Sequence, residues 1–350
     1  MKHQTTRYGE IPFYKIGTFG NTADAFISKK LFLEYKTKYS FPKKGDILIS
    51  ASGTIGRAVI YDGKPAYFQD SNIVWIDNDE TLVKNDFLFY AYSHVKWNTE
   101  HTTILRLYND NFRNTLIPLP PLNEQSAIAN ILSTLDRYLY NLDALILKKE
   151  SVKKALSFEL LSQRKRLKGF NQAWQRVRLG DICEIVEGQQ INKISLNNTD
   201  KYPVINGGID FLGYTNKFNV SKNTIAISEG GTCGYVRFMT SDFWSGGHNY
   251  SLQKINNKVN NLCLYHILKS YEKDIMKLGV GSGLKNIQLK ALKDFEILLP
   301  PLNEQIAIAN ILSTLDKEIA SLKNKKRQFE NIKKALNHDL MSAKIRVLEK

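Results

Sequence analysis

The feature that most constrains this chain is an internal repeat whose period is about half the length of the chain. The segment Pro120–Asp136 recurs as Pro300–Asp316 with a single difference, and the match continues without a gap as far as Ser162 and Ser342. Solenoid and propeller repeats have periods of about 20–50 residues, so this period is too long for them. The 350 residues are therefore predicted to contain two copies of a unit in which a globular domain is followed by a helix.

Each repeated segment is predicted to form a long helix. Pro120-Pro121 ends the preceding structure because the residue before a proline avoids the helical region, and Asn123 can then cap a helix with Glu124 in its first turn. Apolar residues follow at alternating spacings of four and three in both copies. They are Ile128, Leu132, Leu135, Leu139 and Leu142 in the first copy, and Ile308, Leu312, Leu315, Ile319 and Leu322 in the second. This heptad spacing is typical of two helices that wind around each other.

The two helices are predicted to form an antiparallel coiled coil with each other. The first has Ile146 where the second has Lys326, and Lys149 where the second has Phe329. Such offset substitutions favour pairing between the two helices over two separate homodimers. Residues 170–299 are long enough to return the chain, so the globular domains can lie at opposite ends of the pair. The alternative is that each helix packs only on its own domain.

The two globular halves, residues 1–119 and 169–299, resemble diverged copies of one domain. In each, an apolar strand runs into a Gly-Thr-x-Gly turn, at Gly53–Gly56 in the first and Gly231–Gly234 in the second. Glycine tolerates the backbone angles that such turns require. Short β-rich runs alternate with Gly, Asn and Asp turns, and helical patches lie between them. The predicted fold class is α+β, with two globular α/β domains that are each followed by a long helix.

The charge of the chain favours a polyanionic partner. Lys and Arg total 49 against 34 Asp and Glu, which gives a formal net charge of +15 and a pI near 9.4. Residues 144–170 alone carry eight Lys and Arg against two Glu. This basic run is either an ordinary solvated helix face or a surface that binds DNA phosphates. For the whole chain, the alternative to nucleic acid is a basic protein whose charge is incidental.

No sequence pattern for catalysis, a metal site or a membrane span is found. There is no Gly-x-x-x-x-Gly-Lys-Ser/Thr phosphate loop. The Pro-Pro pairs lack the preceding Asp or Asn and the following aromatic residue of amino-methyltransferases. Six histidines and three cysteines show no metal-ligand spacing, and there is no apolar run long enough to span a membrane and no apolar leader. We expect a non-catalytic chain without metal or cofactor, in the reducing cytoplasm.

The paired Leu-Pro-Pro-Leu-Asn-Glu-Gln signatures, each followed by a heptad helix, closely resemble the conserved regions of type I restriction–modification specificity subunits. The strand and Gly-Thr-x-Gly segments resemble their target-recognition domains. The resemblance implies recognition domains at 1–121 and 169–301 and conserved helical spacers at 122–168 and 302–350.

The resemblance also implies what this class of protein does. Each domain would read half of a bipartite site in double-stranded DNA, and the helices would set the gap and dock two methyltransferase subunits. S-adenosylmethionine would bind those partners rather than this chain. Whether a restriction subunit with nuclease and translocase activity also takes part is left open.

Side chains that read base edges are expected to be Arg for guanine and Asn or Gln for adenine. The candidates in the first half are Arg57, Gln69 and Asn72, and those in the second are Gln189, Gln190, Asn192, His248, Asn249, Lys285 and Asn286. For each of them, a surface or turn role is the alternative, because base-reading positions differ among family members.

The first half departs from the family pattern at its beginning. In the second half the whole segment from Trp174 to Tyr202 precedes Pro203, whereas only Met1–Glu10 precede the comparable Ile11. Much of the opening of the second domain is therefore without a counterpart in the first, whose own opening is shortened. This leaves three alternatives to the main hypothesis: a remnant subunit that docks partners but reads one half-site, a coiled-coil scaffold without specific DNA reading, and an enzyme that acts alone.

Overall fold

The computed structural model describes residues 4–68, 72–97 and 106–348, and the chain divides into two compact units. Unit 1 comprises Met1–Asp143 and Asn324–Lys350, and unit 2 comprises Ala144–Lys323. Each unit contains one globular domain, the first half of the long helix that follows it and the second half of the other long helix. The predicted domains follow the chain in order, whereas the compact units divide both long helices near their middle.

Within the described residues, the structure contains nine α-helices and fourteen strands. The helices are α1 (Lys29–Lys38), α2 (Asn85–His94), α3 (Asn109–Arg113), α4 (Leu122–Leu161), α5 (Leu179–Ile182), α6 (Asn261–Ser270), α7 (Glu272–Met276), α8 (Leu289–Lys293) and α9 (Leu302–Met341). The strands are β1 (Ile11–Phe13), β2 (Ala25–Ile27), β3 (Ile47–Ser50), β4 (Ala58–Ile60), β5 (Ile73–Ile76), β6 (Gln175–Arg178), β7 (Glu184–Glu187), β8 (Tyr202–Ile205), β9 (Gly213–Thr215), β10 (Thr224–Ser228), β11 (Val236–Met239), β12 (Trp244–Ser245), β13 (Asn249–Gln253) and β14 (Glu296–Leu299).

The main sheet of unit 1 is antiparallel, in the order β4-β3-β5. Every residue of the central strand β3 is buried, because its apolar run has neighbours on both edges. A separate two-stranded sheet pairs β1 with β2, and α1 follows it directly. The hydroxyl of Ser28 caps α1 by accepting a hydrogen bond from the amide of Leu31 at 3.2 Å.

The main sheet of unit 2 has one strand more, in the order β11-β10-β13-β7. Strand β10 corresponds to β3, since both are buried apolar strands that end in a serine before the glycine turn. A three-stranded sheet (β12-β8-β9) and the pair β14-β6 complete the unit. The side chain of Asn260 caps α6 by accepting from the amide of Cys263 at 2.9 Å.

The long helices lie antiparallel within each unit. In unit 2, the Nζ atom of Lys149 on α4 lies 2.6 Å from Glu318 Oε2 on α9, and Lys153, one turn later on α4, pairs with the earlier residue Asp316. Unit 1 repeats the arrangement with α4 and α9 exchanged, where Lys333 pairs with Asp136. The fold is therefore α+β, and the two long helices form the antiparallel pair that the heptads predict.

The heptad residues serve two partners rather than one. In unit 1, Ile128 and Leu132 pack with Leu340 near the end of α9 and also with Phe87 and Tyr90 of α2. In unit 2, Ile308 and Leu312 likewise share a core with residues of α4 and α6. The remaining seam residues Leu135, Leu139, Leu142, Leu315, Ile319 and Leu322 are all buried or half-buried. The apolar stripe thus faces the other helix and the adjoining domain.

The Glu-Gln pair of the repeated motif joins each helix to its surroundings. In unit 2, Arg166 donates two hydrogen bonds of 2.7 Å to the buried carboxylate of Glu304, which also accepts a bond of 3.0 Å from Trp174 Nε1. In unit 1, Arg346 binds the buried Glu124 in the same bidentate way. Arginine matches a carboxylate in this fork geometry, so each helix start is held by the segment that follows the end of the other helix.

The neighbouring glutamines hold the domain helices. In unit 2, Gln305 accepts from the amide of Asn260, the N-cap of α6, at 2.7 Å and donates to Pro300 O at 2.7 Å. In unit 1, Gln125 accepts from the amide of Lys84 at 2.8 Å, just before α2. A backbone amide at a helix start thus gains a side-chain partner from the long helix in both units.

The predicted helix cap at Asn123 is wrong. Helix α4 begins at Leu122, and the carbonyl of Pro121 already accepts from the amide of Gln125 at 2.9 Å. Asn123 therefore lies inside the first turn, where its side chain accepts only from the adjacent amide of Glu124. Across the described segments, none of the helices is long and apolar enough to cross a membrane.

Candidate nucleic-acid interface

The glycine turn of unit 2 lies where five loops meet. After β10, Gly231 and Gly234 adopt positive φ angles of 67° and 83°, and the amide of Gly234 closes the turn on Ser228 O at 2.8 Å. These angles are strained for residues that carry a Cβ atom. The sequence pattern Gly-Thr-x-Gly therefore marks a real backbone requirement.

Backbone hydrogen bonds bring the other loops to this turn. Thr232 donates to Gly207 O, Glu229 donates to His248 O, and Ile287 donates to Glu229 O, at 2.8, 3.0 and 2.9 Å. The loop after β7 joins them, because Gln189 donates to Ser245 O at 2.8 Å. Segments that lie far apart in the sequence thus form one continuous surface.

Several predicted base-reading side chains lie on this surface. A Cβ atom added at Gly230 would collide with Asn286 Oδ1 and lie 3.9 Å from His248 Nδ1, and one added at Gly247 would collide with the amide of Gln190. Gln190, His248 and Asn286 are all exposed. The glycines therefore allow three exposed hydrogen-bonding side chains to gather at one turn.

The remaining unit 2 candidates differ in their surroundings. Gln189 and Lys285 are exposed beside the same loops. Asn192 is exposed, but its side chain accepts from the amide of Ile194 at 3.0 Å and caps a short 3-10 helix. Asn249 is 3% exposed and donates to Ser245 Oγ and Tyr250 O, at 2.9 and 3.0 Å. Because its amide group is occupied inside the sheet, we leave Asn249 out of the reading surface.

Unit 1 builds the same turn with different side chains. Gly53 and Gly56 have φ angles of 67° and 79°, and the side chain of Trp97 packs directly on Gly56. Arg57, at the end of the turn, is half-buried, and its Nη1 atom donates to Phe19 O at 3.0 Å. The guanidinium group is therefore held by the domain at one of its donors.

Asn72 flanks the turn of unit 1. Its carbonyl accepts from Ala51 at 2.6 Å, as that of His248 accepts from Glu229 in unit 2. The strand register makes Asn72 the equivalent of the exposed His248. Gln69, the third candidate of this half, lies outside the described residues.

Two residues that the sequence reasoning missed lie at these turns. Arg106 forms a bridge with Ser52 in unit 1 and occupies the place in the repeat that Asn286 occupies in unit 2, so the repeat itself could have identified it. Glu229 is the half-buried acid at the centre of the unit 2 surface. Burial raises the pKa of the nearby Cys233 thiol, the Lys285 ammonium opposes that rise and the Glu229 carboxylate adds to it.

The chemistry available at both surfaces is hydrogen bonding. Amide, imidazole, guanidinium and carboxylate groups provide the donors and acceptors that distinguish base edges in a DNA groove. In the part of the chain that the structure describes, no cluster of three or more His, Cys, Asp or Glu could hold a metal ion. The chain thus carries two diverged polar surfaces on an α+β scaffold whose two long helices are paired. This organisation is that of a duplicated recognition protein.

Comparison with known proteins identifies the family. The model of the type I restriction modification DNA specificity domain matches residues 1–149 and 171–331. A putative type I restriction enzyme specificity subunit of Methanocaldococcus jannaschii is 30% identical over 335 residues, which are 87% of this chain and 79% of that protein. The chain belongs to the family of type I restriction–modification DNA specificity domains.

Two further relatives show how far the likeness extends. A putative specificity subunit of Haemophilus influenzae is 65% identical over 133 residues, which cover 38% of this chain but only 34% of that relative. The crystal structure of a type I restriction–modification S subunit from M. genitalium has the same fold, with a TM-score of 0.70 at 20% identity over 97% of this chain and 91% of that one.

Proposed function

We propose that this chain is a non-catalytic specificity subunit that reads a bipartite DNA sequence, one half-site for each unit. One observation carries the proposal: both units place a glycine turn at the centre of a polar surface, but the side chains there differ. Unit 1 presents Arg57 and Arg106, whereas unit 2 presents Gln190, His248 and Asn286. Different side chains at equivalent places suit two unlike half-sites.

The net charge of +15 supports the non-specific part of binding. Lysine and arginine side chains on DNA phosphates release counterions, which makes affinity fall steeply as salt rises. The basic segment after α4, with Arg164, Lys165 and Lys168 exposed, contributes to this charge. Arg166 in the same run is occupied by Glu304 and is not counted.

The paired helices would set the gap between half-sites and dock two methyltransferase subunits, which would hold S-adenosylmethionine. Helix α4 carries large exposed apolar side chains at Leu147 and Phe158, 64% and 54% exposed. Helix α9 has Arg327 and His338 at the equivalent positions. Exposed apolar side chains on a helix are suited to a protein partner rather than to solvent. A restriction subunit would join through the same complex.

Binding measurements with the assembled methyltransferase complex test the proposal. DNA selected from a random pool should show a two-part motif, and its affinity should fall steeply between about 50 and 200 mM salt. Asn286→Ala should weaken binding to the selected site by about tenfold and relax one half of the motif. Asn257→Ala, at an exposed asparagine in the loop before α6, should change neither property.

A chain that binds all sequences equally would instead be a basic scaffold. Methylation or cleavage of DNA by the purified chain without partners would show an enzyme that acts alone. A motif with only one defined half would point to a remnant subunit that docks partners but reads one half-site.

A further inference from the structure

The main sheet of unit 1 has an open edge where that of unit 2 is covered. In unit 2, β13 pairs with β10 on one side and with β7 on the other. Its counterpart β5 pairs with β3, and none of the residues within 4–68, 72–97 and 106–348 pairs with its other edge. Four of the five residues of β13 are buried, whereas β5 buries only Ile73.

A second stretch of unit 1 shows the same difference. In unit 2, β14 pairs with β6 just before the Pro-Pro motif, and Ile297 is 1% exposed. The equivalent residues 116–119 of unit 1 form no strand, and Leu116 and Leu119 are 93% and 57% exposed. Ile117, the counterpart of Ile297, is only half-buried and packs against the same cluster as Val74 and Ile76 of β5. Exposed leucines on both sides of it are characteristic of an interaction surface.

One continuous segment covers both places in unit 2. Residues Gln175–Glu187 form β6, α5 and β7 in succession. Leu179, Ile182 and Ile185 of this segment are 0%, 8% and 4% exposed, and they belong to the large core of unit 2, which has one smaller cluster beside it. The described apolar residues of unit 1 instead form several smaller clusters.

We propose that the open edge of unit 1 binds a polypeptide segment with the residue pattern of Trp174–Glu187, which in unit 2 forms a strand, a short helix and a second strand. The main-chain groups along the free edge of β5 would pair with the incoming strand, and its apolar residues would join the separate clusters into one core. Unit 2, in which the equivalent edge is covered, shows which segment fits. The pattern Arg-Val-Arg-Leu-Gly-Asp-Ile occurs once in this chain, and that copy is already buried in unit 2.

The register of the complex follows from unit 2. There, Glu187, Val186 and Ile185 lie opposite Tyr250, Ser251 and Leu252 of β13. Strand β3 pairs with β5 as β10 pairs with β13, which makes Val74, Trp75 and Ile76 the equivalents of those three residues. The incoming strand is therefore antiparallel to β5. Its residue equivalent to Glu187 lies opposite Val74, and its residue equivalent to Ile185 lies opposite Ile76.

Hydrogen exchange of the full chain tests this proposal without DNA. The probe is a synthetic peptide with the sequence of Trp174–Glu187, with Cys183→Ser to prevent oxidation. Exchange of the amides of residues 73–76 that face the open edge, and of the non-proline residues of 115–119, should slow by about tenfold when the peptide is bound. The matched control peptide carries Ile182→Asp and Ile185→Asp and should leave exchange unchanged.

A fusion keeps the test decisive if the free peptide binds weakly. The same peptide sequence, joined ahead of Met1 by a flexible linker, acts at a high effective concentration. Protection of β5 in the fusion, lost with the two Asp substitutions, supports the proposal. Unchanged exchange in both experiments, or equal protection by the control sequence, would overturn it.

Discussion

Glu124 and Glu304 are buried carboxylates whose partners could not be read from their local sequence. We interpreted Glu124 as an acid that favours the helix dipole, and the structure adds a bidentate arginine to each glutamate. Arg166 lies 138 residues before Glu304, so spacing along one helix reveals nothing of the contact. Yet Arg166 and Arg346 occupy equivalent positions in the two copies of the repeat, which could have marked both as functional pairs.

Removal of Arg166 should be costly because it leaves the buried charge of Glu304 without its cation, with only the hydrogen bond from Trp174 remaining. We expect Arg166→Ala to lower the free energy of unfolding by about 3 kcal/mol, measured by urea denaturation. Arg164→Ala removes an exposed arginine two positions earlier and should cost less than about 1 kcal/mol. Equal effects of the two substitutions would contradict a structural role for the Arg166–Glu304 pair.

His266 should make the protein sensitive to acid. Burial lowers the pKa of this histidine from 6.5 to about 4, although Asp316 opposes the shift. The unfolded chain takes up a proton near pH 6.5 and the folded chain only near pH 4, so stability falls as the pH drops between these values. The loss amounts to about 3 kcal/mol by the usual conversion of pKa units.

Unfolding of the wild type and of His266→Phe across pH 7 to 4 measures this effect. The variant should lack the part of the acid loss that begins near pH 6.5. His248→Phe is a matched control at an exposed histidine and should keep the full loss. If the His266 variant loses stability as steeply as the wild type, another group is responsible.

At the scale of elements, the long helices were predictable in kind but not in their ends. Heptad spacing marked both helices and their pairing, but α4 and α9 end at Leu161 and Met341, before the predicted spacer limits. The turns that follow contain Gln163 and Ala343 with positive φ angles of 60° and 54°. Neither residue type signals a helix end in sequence, because such angles are normally a property of glycine.

The helix contacts also explain why the two copies of the repeat differ. In unit 2, Lys149 of α4 pairs with Glu318 of α9. At the equivalent place in unit 1, the rings of Tyr138 and Phe329 lie 4.6 Å apart. If α4 paired with a second α4, Lys149 would lie opposite Tyr138. If α9 paired with a second α9, Glu318 would lie opposite Phe329. The pattern therefore favours pairing between α4 and α9.

A double-mutant cycle tests this specificity. Lys149→Phe and Glu318→Tyr together reproduce the aromatic pair of unit 1 in unit 2. Each single substitution should destabilise the protein, and the two together should cost less than their sum by about 1 kcal/mol. Strict additivity of the free energies of unfolding would show that the two side chains do not interact.

At the scale of the whole molecule, the sequence indicated two domains and two helices but not how they divide into compact units. Heptad periodicity shows which face of a helix is buried, but it does not identify the partner along each half. Unit 2 takes its core from the globular domain and from both helices, including Leu161, Ile308 and Leu312. Which of the candidate side chains lie together on an exposed surface was the least predictable feature, because exposure and loop convergence depend on long-range backbone contacts.

Unit 2 is continuous in sequence, and this gives a direct prediction. A fragment of residues 144–323 should unfold cooperatively on heating, because it retains its core and the Arg166–Glu304 pair. A fragment of residues 169–301 lacks the core residues that the long helices supply, including Leu161, Ile308 and Leu312, and also lacks the ion pair. It should melt at least about 10 °C lower, measured by circular dichroism. Equal melting temperatures would show that the helix segments contribute nothing to the unit.

The central claim is that two unlike surfaces on one chain each specify half of a DNA site. Its most direct test is to map methylated adenines in cells that contain the partner methyltransferase and either the wild-type chain or the Gln190→Ala, Asn286→Ala variant. The claim predicts a two-part motif for the wild type and, for the variant, a relaxed half-site next to an unchanged half and gap. A motif that does not change, or one in which both halves change together, would contradict it.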